Sequence, residues 1–154
     1  MTSISFAKEP YIIGFRGMGG AFDTDAFIEY ANSRSLKPHV FDADQVSQAA
    51  ALIKYKRRAP YQLYGYSLGA VSVRQLLTIV DDSGELTKPS LVITAGAFRS
   101  SNVNFIPFRV PFINFLDESG RGINAPYTVM TSVSHDKVMR FVTDFLENIN
   151  QYNQ

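Results

Sequence analysis

A serine, a histidine and a carboxylate can together cleave an acyl bond, and one serine of this chain stands in a setting suited to that work. Ser67 lies inside Gly65-Tyr66-Ser67-Leu68-Gly69, a G-x-S-x-G pattern, with a strand-like run before it and a helix-like run after it. A serine on a sharp strand-to-helix turn has its hydroxyl lifted clear of the sheet, and flanking glycines let neighbouring elements close in. The start of the new helix offers free backbone N–H groups that can hold a developing oxyanion. The hydroxyl alone is a poor nucleophile at neutral pH. It needs a base to take its proton, and the base needs a carboxylate to fix its tautomer.

The chain has two histidines, His39 and His135, so the search for a base is short. His39 sits in mid-strand beside Pro38, where a packed or solvated ring is the usual finding. His135 directly follows the last predicted strand and is the candidate base. Three aspartates compete as the acid. Asp117 follows the strand before the last and is preferred. Asp136 is its rival, but it directly follows the base and suits the N-cap of the last helix. Asp42, after the second strand, is the third. Metal chemistry finds no cluster of ligands to use: the histidines are far apart in the sequence and cysteine is absent.

These side chains need a scaffold, and the hydrophobic pattern supplies one. Short apolar runs at Tyr11 to Phe15, Lys37 to Phe41, Tyr61 to Tyr64, Ser90 to Ala95, Phe112 to Leu116 and Tyr127 to Val133 read as strands. Between them fall helical spacings. Ala26, Phe27, Tyr30 and Ala31 form one inner face, capped by Asp23 or Thr24. Val46, Ala49, Ala50 and Ile53 form a second, capped by Asp42 or Asp44. Val71, Leu76, Ile79 and Val80 follow Ser67, and Val138, Phe141, Val142, Phe145 and Ile149 close the chain. This alternation predicts an α/β fold, a single domain over residues 1–154 with a mostly parallel sheet covered by helices on both faces. About ten residues separate Leu116 from Tyr127, fewer than the dozen or more of an ordinary parallel crossover. The last two strands are therefore expected to pair antiparallel or to lie apart.

In an open α/β sheet, ligands collect at the carboxyl ends of the strands. The Arg16–Gly20 loop, Ser67, Asp117 and His135 all fall there. The order serine, aspartate, histidine is the one used by hydrolases of the α/β-hydrolase fold. Phe15-Arg16-Gly17-Met18 resembles the Phe-Arg-Gly-Thr segment of the class 3 (fungal-type) lipases. Gly65-Tyr66-Ser67-Leu68-Gly69-Ala70 resembles their Gly-His-Ser-Leu-Gly-Gly elbow, and Val92 to Arg99 is similar to their strand ending in Gly-x-Pro-Arg. The resemblance implies that the backbone N–H groups of Met18 and Leu68 form the oxyanion hole. Met18, Tyr66, Ala70 and Phe98 depart from that family's residues. The chain is shorter than such lipases and shows no long helical lid, which favours a small esterase.

The expectation is a serine hydrolase cleaving carboxylic esters through an acyl-serine, with Ser67 as nucleophile, His135 as base and Asp117 as its orienting acid. A thioesterase or amidase with the same triad is the alternative, as is a catalytically silent hydrolase fold that binds a partner. Phe105 and Phe108, in the loop before Asp117, are candidates to line an acyl pocket. No cofactor is required, and the expected partner is a small-molecule ester. The net charge of +1 offers no field for nucleic acid. Without a signal peptide, a membrane-length apolar run or any cysteine, the expected location is the cytoplasm.

Overall fold

The central strands are apolar on both faces, as strands covered by helices above and below must be. A computed structural model describes residues 9–97, 108–120, 125 and 127–152. Strands β1 (Tyr11–Phe15), β3 (Tyr61–Tyr66) and β4 (Leu91–Ala95) are almost wholly buried. Strand β2 (Lys37–Phe41) is half-exposed and carries Pro38, which an edge strand tolerates because its missing N–H breaks no interior ladder. Strands β5 (Phe112–Leu116) and β6 (Thr128–Met130) extend the other side. The six strands lie in the order β2-β1-β3-β4-β5-β6, and every neighbouring pair is parallel.

This corrects the expectation for the last two strands. Asn114 pairs with Thr128 and Leu116 with Met130 in parallel register. The reason is length. An extended chain covers roughly 3.3 Å per residue, so about ten residues reach some 33 Å. A return along a strand of three residues needs only about 10 Å plus one inter-strand step of about 5 Å. A crossover this short needs no helix.

Four α-helices cover the sheet among the described residues: α1 (Thr24–Ser33), α2 (Val46–Lys56), α3 (Gly69–Ser83) and α4 (Val138–Tyr152). Alternate side chains along each strand point to opposite faces, and the core divides accordingly. On one face Ile12, Tyr64, Ile93 and Phe115 meet Phe27 and Tyr30 of α1 and Val138 and Val142 of α4. On the other, Ile13, Leu63 and Val92 meet Ile53 of α2 and Val73 and Leu76 of α3. The caps follow the predictions in part. Asp23 accepts a hydrogen bond from the Ala26 N–H at 3.1 Å and caps α1. Neither Asp42 nor Asp44 caps α2, whose N-cap is Gln45; the Gln45 side chain makes no cap bond and accepts from the Asp42 N–H. The Asp42 carboxylate is taken by Arg16 instead. Asp136 does not cap α4 either; it lies inside a 3₁₀ turn, His135–Lys137, that leads into the helix.

The consequence for function lies in the strand order. The chain passes from β1 outward to β2, then returns to the other side of β1 as β3. The direction of winding reverses between β1 and β3, and the crevice above such a reversal is where open α/β sheets hold ligands. The loop after β1 and the turn after β3 flank it.

Candidate active site

The turn after β3 is shaped by what its glycines leave out. A Cβ on Gly65 would lie 2.7 Å from the Gly69 carbonyl oxygen, and one on Gly69 would lie 2.2 Å from that of Phe15. Both contacts are with backbone, so neither position has room for a side chain. Between them Ser67 adopts φ 54, a left-handed conformation that costs a non-glycine residue energy and is held by its surroundings. The Ser67 N–H donates to the Ala95 carbonyl at 2.9 Å, which ties the turn to β4 and leaves the hydroxyl facing away.

Three predicted residues meet above this turn. His135 Nε2 lies 3.1 Å from Ser67 Oγ. His135 Nδ1 lies 2.7 Å from Asp117 Oδ2. An ionised carboxylate only accepts hydrogen bonds, so with Asp117 charged the imidazole carries its proton on Nδ1 and turns an acceptor lone pair toward the serine hydroxyl. The Asp117 side chain has no exposure. Its other oxygen accepts from the Ser119 N–H at 3.0 Å and the Ser119 hydroxyl at 2.6 Å. A buried carboxylate needs such partners.

The other two acid candidates point elsewhere. The Asp136 carboxylate accepts from the Ser134 hydroxyl at 2.5 Å. That bond is the main reason its carboxyl is held below the usual range. Asp42 pairs with Arg16 at 2.9 Å on the far side of the crevice. His39 stands on edge strand β2, edge-on to Tyr11 with ring centroids 5.9 Å apart, away from this cluster. Burial pushes its imidazole below the ordinary value, with nearby Lys56 and Lys37 adding to the effect.

Met18 and Leu68 line one pocket of about 420 Å³, together with Gly17, Gly19, Gly20, Asp42, Ala43 and Asp44. Met18 opens a 3₁₀ turn, Met18–Gly20, and Leu68 is the N-cap of α3. Backbone N–H groups at such starts have no acceptor within their own helix. The turn is closed by the Gly17 N–H on the Ala21 carbonyl at 2.8 Å. Phe108 does not line this pocket. It is buried in the core under α3, with the Arg74 guanidinium 5.9 Å from its ring centre. Phe105 lies outside the described residues.

Three contributors were not singled out from sequence. Ser119 was signalled by its place two residues after Asp117 in a turn, a spacing at which hydroxyls and carboxylates bond. Gly96 has φ 57, and a Cβ there would lie 2.7 Å from His135 Nδ1; its signals were a glycine directly after a strand and its place in the segment likened to Gly-x-Pro-Arg. Tyr66 stacks on the His135 ring, with centroids 5.0 Å apart and planes 26° from parallel. It was visible in the sequence as the residue beside the candidate nucleophile, where it departs from the elbow of the class 3 lipases.

No protein-family model matches the sequence, and no curated protein matches it significantly. Solved structures match by fold. A nocardicin-cluster thioesterase domain, NocB, aligns over 94% of this chain and 96% of its own, with TM-score 0.62 and 11% identity. Human thioesterase 2 aligns over 92% and 94%, with TM-score 0.62 and 12% identity. The RedJ thioesterase of prodiginine biosynthesis in Streptomyces coelicolor aligns over 93% and 86%, with TM-score 0.61 and 10% identity. At such identities the likeness establishes the α/β-hydrolase type of fold. These neighbours are thioesterases, and the class 3 lipase resemblance of the motifs gains no support from them.

Proposed function

We propose that this chain is a serine hydrolase that cleaves acyl thioesters through an acyl-serine intermediate. The observation that carries the reading is the continuous chain of contacts from Asp117 through His135 to Ser67, at 2.7 and 3.1 Å. Preference for a thioester over an ordinary carboxylic ester, the main expectation from sequence, is supported by the thioesterase neighbours. The ester remains a second substrate class for the same machinery.

In this mechanism Ser67 Oγ attacks the thioester carbonyl carbon while its proton passes to His135 Nε2. The carbonyl π electrons move onto oxygen, and the N–H groups of Met18 and Leu68 receive that charge. Collapse of the tetrahedral intermediate breaks the carbon–sulfur bond, and the departing thiolate takes the proton from His135. A water molecule then attacks the acyl-serine, giving one proton to His135. Breakdown of this second intermediate returns the proton to Ser67 Oγ and releases the acid. Asp117 holds the imidazole in the required tautomer and stabilises the imidazolium formed in each half. The residues 1–154 act here as one unit, and no step needs a metal or an organic cofactor.

The test joins a fluorophosphonate probe with a panel of acyl thioesters, activated esters and peptides. Labelling is expected on Ser67, absent in Ser67→Ala and weakened in His135→Ala, with thioesters turned over fastest. Folded protein that takes no label and turns over nothing would favour a silent binding fold. Esters outrunning thioesters would return the reading to an esterase.

A further inference from the structure

We propose that Tyr66 is a positioning residue that holds His135 in line with Ser67 through two simultaneous contacts, a ring stack on the imidazole and a hydrogen bond to the His135 main chain. The inference rests on the reading of His135 as the base and extends it to a residue outside the triad.

The two contacts act on different freedoms. The Tyr66 hydroxyl donates to the His135 carbonyl oxygen at 2.8 Å. This anchors the backbone at the start of the 3₁₀ turn, whose own N-cap, Ser134, makes no side-chain cap bond. The ring stack, at 5.0 Å and 26°, acts on the side chain. The imidazole is bonded in its own plane, Nδ1 to Asp117 and Nε2 to Ser67, and two such bonds let a ring swing about the line between them. An aromatic face laid along the imidazole opposes the swing. The Gly96 backbone packs against the same ring, close enough that a Cβ would sit 2.9 Å from Cε1.

The origin of the clamp matters as much as its contacts. Tyr66 is the last residue of β3, and Ser67 is the next residue in the chain. His135 belongs to a separate segment 68 residues further on. By gripping His135 from the position beside the nucleophile, Tyr66 ties the two reacting groups to one strand end. Errors in the placement of the His135 segment are then not passed on to the Nε2 to Oγ distance. Tyr66 is 6% exposed, so most of the clamp is shielded from water.

Two substitutions separate the contacts. Tyr66→Phe keeps the stack and removes the hydroxyl bond. Tyr66→Leu removes both. With a short-chain acyl thioester and thiol release as the readout, Tyr66→Leu should lower kcat roughly tenfold with KM unchanged, because a displaced base costs rate and not binding. Tyr66→Phe should recover about half of this on a logarithmic scale, remaining about threefold below the native enzyme for the lost hydrogen bond. A second readout is independent of turnover. The His135 Hε1 resonance, identified by comparison with His39→Gln, should show the ring-current displacement of a stacked imidazole in native protein and in Tyr66→Phe. It should return to the free-imidazole position in Tyr66→Leu. A folded Tyr66→Leu with unchanged kcat, or with an unmoved Hε1 resonance, overturns the proposal. If Tyr66→Leu does not fold, Tyr66→Phe decides alone, and an unchanged kcat overturns it. A native chain that neither labels at Ser67 nor releases thiol refutes the hydrolase reading instead, while the resonance still reports whether Tyr66 holds the ring.

Discussion

The two flanks of Ser67 are built on different principles. On the β4–β5 side, side chains do the holding. Asp117 is fully buried and bonded to His135 and Ser119, and the Tyr66 ring stacks on the imidazole with Gly96 close by. On the β1–β2 side, backbone does it. Gly17 to Gly20 form an open rim, Gly19 and Gly20 have φ 66 and 82, Met18 is 63% exposed, and one surface ion pair, Arg16 to Asp42, ties the rim to the next strand. The contrast fits the chemistry proposed for the site. A proton must travel between two atoms whose separation is fixed to a few tenths of an ångström, which asks for rigid packing. An oxyanion needs only N–H groups at a helix start, which any residue but proline supplies if the chain is turned correctly. One flank is therefore sensitive to side-chain identity and the other to backbone shape.

Substitutions can break that contrast, beginning with the largest effect. Asp117→Asn should cut turnover by roughly ten-thousand-fold, since the amide favours the wrong tautomer of His135. Asp136→Asn, one residue from the same imidazole, should leave turnover unchanged. Steady-state rates on the two variants check both. Gly69→Ala tests the backbone flank through the elbow. Its Cβ would meet the Phe15 carbonyl oxygen at 2.2 Å, so stability should fall by about 1–3 kcal/mol or more in a denaturant titration. Arg16→Ala should cost less than about 1 kcal/mol of stability, as an exposed pair does. Its effect on kcat should stay below the roughly hundredfold loss of a whole oxyanion donor. A larger kcat loss would mean that this flank also depends on a side chain.

The smallest effect concerns His39, remote from both flanks. Its pKa is lower in the fold than in the unfolded chain because burial opposes its charge. The unfolded state then binds more protons just below the ordinary histidine value of about 6.5. Stability should be complete above that pH and decline as pH falls through it toward the folded value. In His39→Gln that part of the acid-side decline should disappear from melting curves recorded across pH.

Much of the fold could be read from the sequence because its strands are apolar on both faces and its helices on one stripe. β1, β2 and β5 begin and end where the pattern placed them. β3 runs two residues beyond Tyr64 to Tyr66, because Gly65 and Tyr66 still pair with β4 before the chain turns. The direction of β6 was misread from a length rule suited to longer strands. The cap of α2 was misread because Asp42, a good cap by type, is claimed by Arg16 of the neighbouring loop, and a local rule cannot see a partner 26 residues away. The candidate triad could be picked out because each member follows a strand. What joins those members is long-range, and neither the stack of Tyr66 on His135 nor the closeness of Gly96 leaves a trace in spacing.

The Ser67 amide has a last implication. Its N–H donates to the Ala95 carbonyl, so the proposed nucleophile is itself a rung of the ladder that joins the two middle strands of the sheet. Such rungs open only with the most stable cooperative unit of a protein. Fraying of the rim or of the chain ends can slow this site by disturbing its walls, but it cannot release the serine from its elbow. The geometry of the proposed nucleophile is therefore expected to be lost only together with the sheet that holds it.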